Sequence, residues 1–230
     1  DRQMHRILFN KIHTQMSINK NSFNAELFDQ LPIVGILRDV NMEDADRILP
    51  LYVEAGFTTI EVPINCDDAE QLIQYIVSNY GDRLNVGAGS VIDVSDLEKA
   101  LDVGSEFIVT PVVDEEVIRS CVTLGIPIFP GAFSPTEIAK AWKLGATMVK
   151  VFPADELGIG YIKALKAPLK GIKLLPTGGI SIDNARSYFK AGAQGVGVST
   201  GLFKSELIRN KDWDRLRAHF VAFYQAVQNR

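Results

Sequence analysis

Short apolar runs alternate with longer stretches of three- and four-residue apolar spacing along most of the chain. Gly56 precedes FTTIEVPI, Gly81 precedes DRLNVGAG, Gly104 precedes SEFIVTPV and Gly125 precedes IPIFPG. Gly145, Gly171 and Gly192 stand in the same way before ATMVKVFP, IKLLPTGG and AQGVGVST. The interval between successive glycines is 20–26 residues. A glycine after a helix suits the left-handed position that ends it, so each one predicts a passage from helix to strand. The stretches between strands carry helical spacing, as in Ala69, Leu72, Ile73 and Ile76, or Val94, Leu97 and Leu101. PIVGILRD, from Pro32 to Asp39, adds an earlier strand, followed by a helix from Met42 to Ala55. A long amphipathic helix from about Asp212 to Val227 closes the series.

Eight strands, each followed by a helix, are therefore expected. Most are apolar on both faces, which suits parallel strands covered by helices. Units of this length predict an α/β fold of the closed (β/α)8 TIM-barrel type, at the short end of its size range. An open doubly wound sheet is the rival. It would often carry a dinucleotide loop after an early strand, and VGAGSV lacks the third glycine of that motif. The expected organisation is an N-terminal extension with a short helix over residues 1–30 and one barrel domain over 31–230. Within the first part, Ser22 is expected to cap a helix from Phe23 to Gln30, with a natural start at Met16 and an extension from Asp1 to Gln15.

Composition narrows the partners. The chain holds 24 Lys and Arg against 28 Asp and Glu, a net charge of −4, which argues against nucleic acid or an anionic membrane as partner. No apolar run reaches the length of a membrane span. Cys66 and Cys121 make neither a metal-ligand spacing nor a disulfide framework, so a reducing, cytoplasmic compartment is expected. His5, His13 and His219 lie away from every strand end, and a histidine metal site or general base is not expected.

In such a barrel the chemistry sits at the C-terminal ends of the strands. Lys150 lies in TMVKVFP, and alternation puts Met148, Lys150 and Phe152 on one face. If that face is the interior, burial should lower the pKa of the amine and ready it to attack a keto group. The alternative is a lysine that snorkels from a strand end to solvent. Glu61 in TTIEVPI is a second ionisable intruder near a strand end. It would serve as a proton shuttle, or merely as an ion-pair partner of Lys150 or Arg38. Gly178 and Gly179 follow the seventh predicted strand, and Ser199 and Thr200 follow the eighth. Those two loops are where such barrels commonly cradle a phosphate. Ser90, Thr110 with Pro111, and Pro130 with Gly131 end other strands, where ordinary turn chemistry also accounts for them.

Seven segments in order, IEVPIN, VGAGSV, IVTP, PGAFSPTE, VKVFPADELG, YIKALK and LPTGGIS, resemble the class I aldolases for 2-keto-3-deoxy-6-phosphogluconate and its galactonate epimer. The resemblance runs from about Pro32 to Phe203. It implies Lys150 as the Schiff-base lysine and Glu61 as general acid/base. It also implies Thr177, Ser90, Pro111 and Phe152 around pyruvate, and Gly178, Gly179, Ser199 and Thr200 around the phosphate. Pyruvate and glyceraldehyde 3-phosphate would be the products. A side activity on 4-hydroxy-2-oxoglutarate would be compatible. The family further implies no metal or organic cofactor and a homotrimer.

Two positions depart from the pattern. Asn65 stands where the gluconate enzymes commonly carry an arginine, so Arg38 is expected to meet the substrate carboxylate instead. Ser90 stands where many relatives carry threonine, and keeps the hydroxyl. These changes bear on C4 stereochemistry rather than on the reaction. The rival functions are a phosphate-binding barrel isomerase or synthase that forms no imine, as in thiamine phosphate synthases, and a non-catalytic phospho-sugar binder.

Overall fold

The computed structural model describes residues 22–228. Asp1 to Gln15, Met16, His5 and His13 lie outside the described residues. The first element is a short helix, α1 (Ala25–Gln30). Its N-cap is Asn24, whose side chain accepts from the Leu27 N–H, rather than the expected Ser22. Asn24 is fixed there by Asn85, which accepts its N–H and donates to its carbonyl at 2.6 and 3.0 Å. A long-range amide pair thus overrides the serine two residues upstream.

The strands β1 (Ile33–Ile36), β2 (Thr59–Pro63), β3 (Asn85–Gly89) and β4 (Phe107–Val109) alternate with α2 (Met42–Glu54), α3 (Ala69–Tyr80) and α4 (Val94–Asp102). After α5 (Glu115–Leu124) the fifth predicted strand forms two pieces, β5 (Ile128–Phe129) and β6 (Gly131–Ala132). Pro130 between them has no N–H to give the ladder. Its carbonyl still accepts from Lys150 N at 2.9 Å, so the wall continues. Then come α6 (Pro135–Lys143), β7 (Val149–Val151), α7 (Ala154–Lys166), β8 (Leu174–Pro176), α8 (Ala185–Lys190) and β9 (Val196–Val198). The short α9 (Ser205–Arg209) and the long α10 (Trp213–Gln228) end the described chain.

Every strand pairing is parallel. One run of the ladder goes from β5 through β4, β3, β2 and β1 to β9, and the other joins β6, β7 and β8. The Thr177–Gly197 bridge links β8 to β9, and the short step through Pro130 joins β5 to β6. The sheet therefore closes into the TIM barrel rather than opening into the doubly wound alternative.

Helix starts follow local chemistry. Asn41, Asp93 and Asp114 each accept the backbone N–H of the residue three positions on, in the first turn of the helix that follows. Ser134 and Glu137 make a reciprocal capping box, with Pro135 at the first helical position. Of the expected stops, Gly56, Gly104, Gly125, Gly145 and Gly192 adopt positive φ, while Gly81 ends α3 in a right-handed conformation.

Two apolar clusters divide the molecule. The larger lies between the strand wall and the helices. The smaller fills the barrel interior with Val34, Ile36, Phe107, Val109, Phe129, Met148 and Leu175, and takes Phe28 of α1 beside them. Phe23 meets the Phe107 ring edge-on at 5.6 Å, and Phe28 stacks on Phe129 at 5.9 Å. The N-terminal segment thus packs into the barrel with aromatic rings. Space for a ligand is left at the C-terminal ends of the strands.

Candidate active site

At that end, eleven of the twelve residues expected at the site line a single cavity of about 370 Å³. Lys150 and Glu61 lie on its wall, with Arg38, Ser90, Pro111, Phe152 and Thr177 around them. Gly178, Gly179, Ser199 and Thr200 line it as well. Asn65 is the exception. The turn closed by Cys66 N–H on the Pro63 carbonyl at 3.2 Å leaves Asn65 exposed, and it does not line the cavity.

Strand alternation accounts for Lys150. Met148 packs in the barrel interior, and Lys150 two residues later projects to the same side. Only 7% of it is exposed, so it does not snorkel to solvent. Its Nζ lies 4.9 Å from the centroid of the Phe152 ring. Burial pushes its pKa below the ordinary lysine value and the Arg38 charge adds to this, while Glu61 opposes it.

Glu61 sits on β2, in register with Ile36 of β1 and Gly87 of β3. Burial raises its pKa, against the lowering influence of Lys150 first and Arg38 second. The two ionisable groups share a cavity in which burial pushes each toward its neutral form. That is the arrangement needed to move protons near neutral pH.

Space for the Glu61 carboxylate comes from Gly89, since a methyl group there would overlap its Oε1. One turn of the pleat lower, a methyl at Gly87 would stand 2.5 Å from the Phe107 ring. Gly87 and Gly89 are thus inward positions kept empty for neighbours, while Ala88 between them faces the helices. Neither role follows from the readings of VGAGSV as a rejected dinucleotide loop and as one of the segments that resemble the aldolases. Gly197 does the same for Thr177, whose Oγ1 a methyl there would meet. Thr177 itself donates to the Leu175 carbonyl at 3.2 Å.

At the other end, Gly178 and Gly179 take φ of 108° and 64°, a left-handed pair that opens their backbone toward the cavity. Asn184 Nδ2 donates to the Gly179 carbonyl at 2.8 Å and fixes the turn into α8. Ser199 donates to the Ile36 carbonyl at 3.2 Å, and Gly201 beside Thr200 also lines the cavity. Thr110, by contrast, spends its hydroxyl on the Val112 carbonyl and Gly131 N–H and is turn chemistry. His219 does not line this cavity, its Nε2 lying 2.9 Å from the Gly201 carbonyl, and the described residues hold no cluster of metal ligands.

Comparisons with known proteins place the chain in a family. The family model for KDPG and KHG aldolases matches residues 25–219. The 2-dehydro-3-deoxy-6-phosphogalactonate aldolase of Escherichia coli (strain K12) is 34% identical over 200 residues, covering 86% of this chain and 98% of that protein. A probable enzyme of the same description from Rhizobium meliloti (strain 1021) is 36% identical over 197 residues, covering 85% and 92%. A solved structure of native KDPGal is similar with a TM-score of 0.81 at 32% identity, covering 90% of this chain and 98% of that one. A buried lysine and carboxylic acid at the mouth of a TIM barrel are thus found in a chain that matches its relatives over nearly their whole length, and the chain belongs to the KDPG and KHG aldolase family.

Proposed function

We propose that this chain is a class I aldolase that cleaves 2-keto-3-deoxy-6-phosphogluconate or its galactonate epimer to pyruvate and glyceraldehyde 3-phosphate. The observation that carries the reading is Lys150, buried on the wall of a cavity that also holds buried Glu61. An imine-forming lysine must be neutral when it attacks, and burial favours the neutral amine. A barrel that only gripped a phosphate would have no use for that desolvated amine. Family membership supports the same reading.

In this mechanism Lys150 Nζ attacks the C2 carbonyl to give a carbinolamine, which loses water to a protonated imine. The imine accepts the electron pair of the C3–C4 bond as it breaks, while the C4 hydroxyl gives up its proton and becomes the aldehyde. Glu61 carries protons in the dehydration and cleavage steps, through a water where the reach is long. The enamine is then protonated at C3, and hydrolysis of the imine releases pyruvate and frees the lysine. Arg38 and Ser90 hold the carboxylate end. Gly178, Gly179, Ser199 and Thr200 hold the phosphate with backbone N–H groups and hydroxyls, so that binding energy at the far end orients C4.

The assembly in this reading is a homotrimer. Ile92, Val112 and Phe133 are exposed apolar side chains on three successive strand-to-helix loops, a surface that association would cover. Sedimentation at micromolar concentration reads the stoichiometry directly. A reducing, cytoplasmic setting suits the two free cysteines. No described helix is long and apolar enough to cross a membrane.

The experiment is borohydride reduction of the folded protein with pyruvate, followed by peptide mass spectrometry, beside turnover of both epimers and of 4-hydroxy-2-oxoglutarate. A reduced pyruvate adduct on Lys150, absent in Lys150→Ala, is the expected result. No adduct, or one at another lysine, overturns the mechanism.

A further inference from the structure

Arg38 follows β1 and enters the cavity mouth, and both side chains that hold it are neutral. Its Nη2 donates to Ser90 Oγ at 3.3 Å, and Nη1 lies 4.0 Å from Cys66 Sγ. The Cys66 thiol donates in turn to Asp39 Oδ1 at 3.3 Å. Arg38 and Ser90 line the cavity, whereas Asp39 and Cys66 do not. Asp39 and Ser90 both hold left-handed backbones, with φ of 54° and 58°. Residues with side chains seldom adopt that conformation, and it persists where surrounding contacts enforce it.

An aspartate next in sequence to an arginine is a natural rival to any carboxylate ligand. A direct pair between them would neutralise the guanidinium and turn its fork away from the cavity. Cys66 stands between the two. Its S–H occupies the Asp39 oxygen while its sulfur faces Nη1, so the charges are linked through a neutral group. Burial pushes the thiol pKa up, against a lowering hydrogen bond from the Asp39 backbone and the Arg38 charge; the Asp39 carboxylate adds to the rise, and the thiol keeps the proton that makes it a donor.

Building on the aldolase reading above, we propose that Cys66 is a positioning residue that holds Asp39 off Arg38 and keeps the guanidinium against Ser90, free to bind the carboxylate of the 2-keto acid. Its contribution is therefore to substrate affinity and not to the bond-breaking step.

Steady-state kinetics on the intact enzyme test this, using whichever epimer it turns over. Cys66→Ala should raise KM about five- to tenfold, the scale of one weakened charge-assisted contact, with kcat within twofold of wild type. Cys66→Ser restores a donor and should restore KM. Asp39→Asn, which tolerates the left-handed backbone, should restore KM when added to Cys66→Ala, because the rival charge is gone. A merely structural cysteine would show no such relief. An unchanged KM in Cys66→Ala overturns the proposal, as does a raised KM that neither serine nor Asp39→Asn corrects. Should Cys66→Ala fold poorly, methylthiolation of half-buried Cys66 in the wild type gives the same reading, since Cys121 is fully buried. KM should rise and return with reductant, and an unmoved KM again overturns the proposal. Pyruvate trapping on Lys150 is run alongside. Its failure in the wild type sinks the aldolase reading, whereas normal trapping with an unmoved KM sinks only the role of Cys66.

Discussion

Gly89 of β3 and Glu61 of β2 occupy complementary space: the carboxylate fills the volume that a Cβ on residue 89 would need. Gly89→Ala therefore cannot be accommodated without moving Glu61. The barrel wall should survive, because Gly89 ends its strand and holds the Ile64 N–H only through its carbonyl. Turnover should fall by roughly a hundredfold, the scale of losing a positioned general acid or base. Circular dichroism and thermal melting check the fold, and kcat reads the effect. Wild-type kcat in a folded Gly89→Ala protein would show that the Glu61 position is not needed.

Glu61→Gln asks the same question without moving atoms. The amide is nearly isosteric and cannot transfer a proton. The fold should be retained and kcat should drop by about a hundredfold or more, while pyruvate still binds. Turnover within a few-fold of wild type would remove Glu61 from the proton pathway and leave it as a charge partner for Lys150.

The pH dependence of imine formation follows from the neighbours of Lys150. Its pKa is lowered, first by burial, and only the neutral amine attacks. The rate of pyruvate trapping should rise with pH and level off at a midpoint below 10.5, the ordinary lysine value. Arg38 is a like charge that helps lower this pKa, so Arg38→Ala should move the midpoint up. Glu61 opposes the shift, so Glu61→Gln should move it down. Midpoints that move the other way, or a wild-type midpoint at the ordinary value, contradict this electrostatic account.

The features that were legible in the sequence are those set by periodicity. Apolar residues on both faces marked the eight strands, and alternation put Lys150 on one face with Met148, although only packing shows that this face is the interior. Lys150 and Glu61 stood out because a charge is costly in an apolar strand. What escaped depends on long-range contacts that no local pattern carries. Asn24 rather than Ser22 caps α1 because Asn85 reaches it across the barrel wall. Asn65 lay within a recognised segment, yet the local turn faces it outward while Cys66 beside it meets Arg38. Gly87 and Gly89 did carry a signal: two glycines at period two within one strand mark an inward surface left empty for larger neighbours.

The last prediction concerns a carboxylic acid far from the chemistry. Glu106, just before β4, is buried, and its Oε2 accepts from the Val86 N–H at 3.0 Å while Oε1 has no partner. Burial outweighs that hydrogen bond and raises the pKa to about 7 from 4.5. The folded protein thus holds a proton that the unfolded chain has already released between those values. The resulting stabilisation is fully present below about pH 4.5 and is lost as pH rises through 7. The amount at stake is on the order of 3 kcal/mol, or roughly 10 °C in melting temperature for a chain of this size. Glutamine keeps the acceptor for Val86 and cannot ionise. Glu106→Gln should therefore lose less stability than wild type between pH 5 and pH 8, with kcat unchanged at either pH. Melting curves at the two pH values read the difference. Parallel losses in the two proteins would mean that Glu106 stays ionised in the folded state, with the desolvation cost met by contacts other than its bond to Val86.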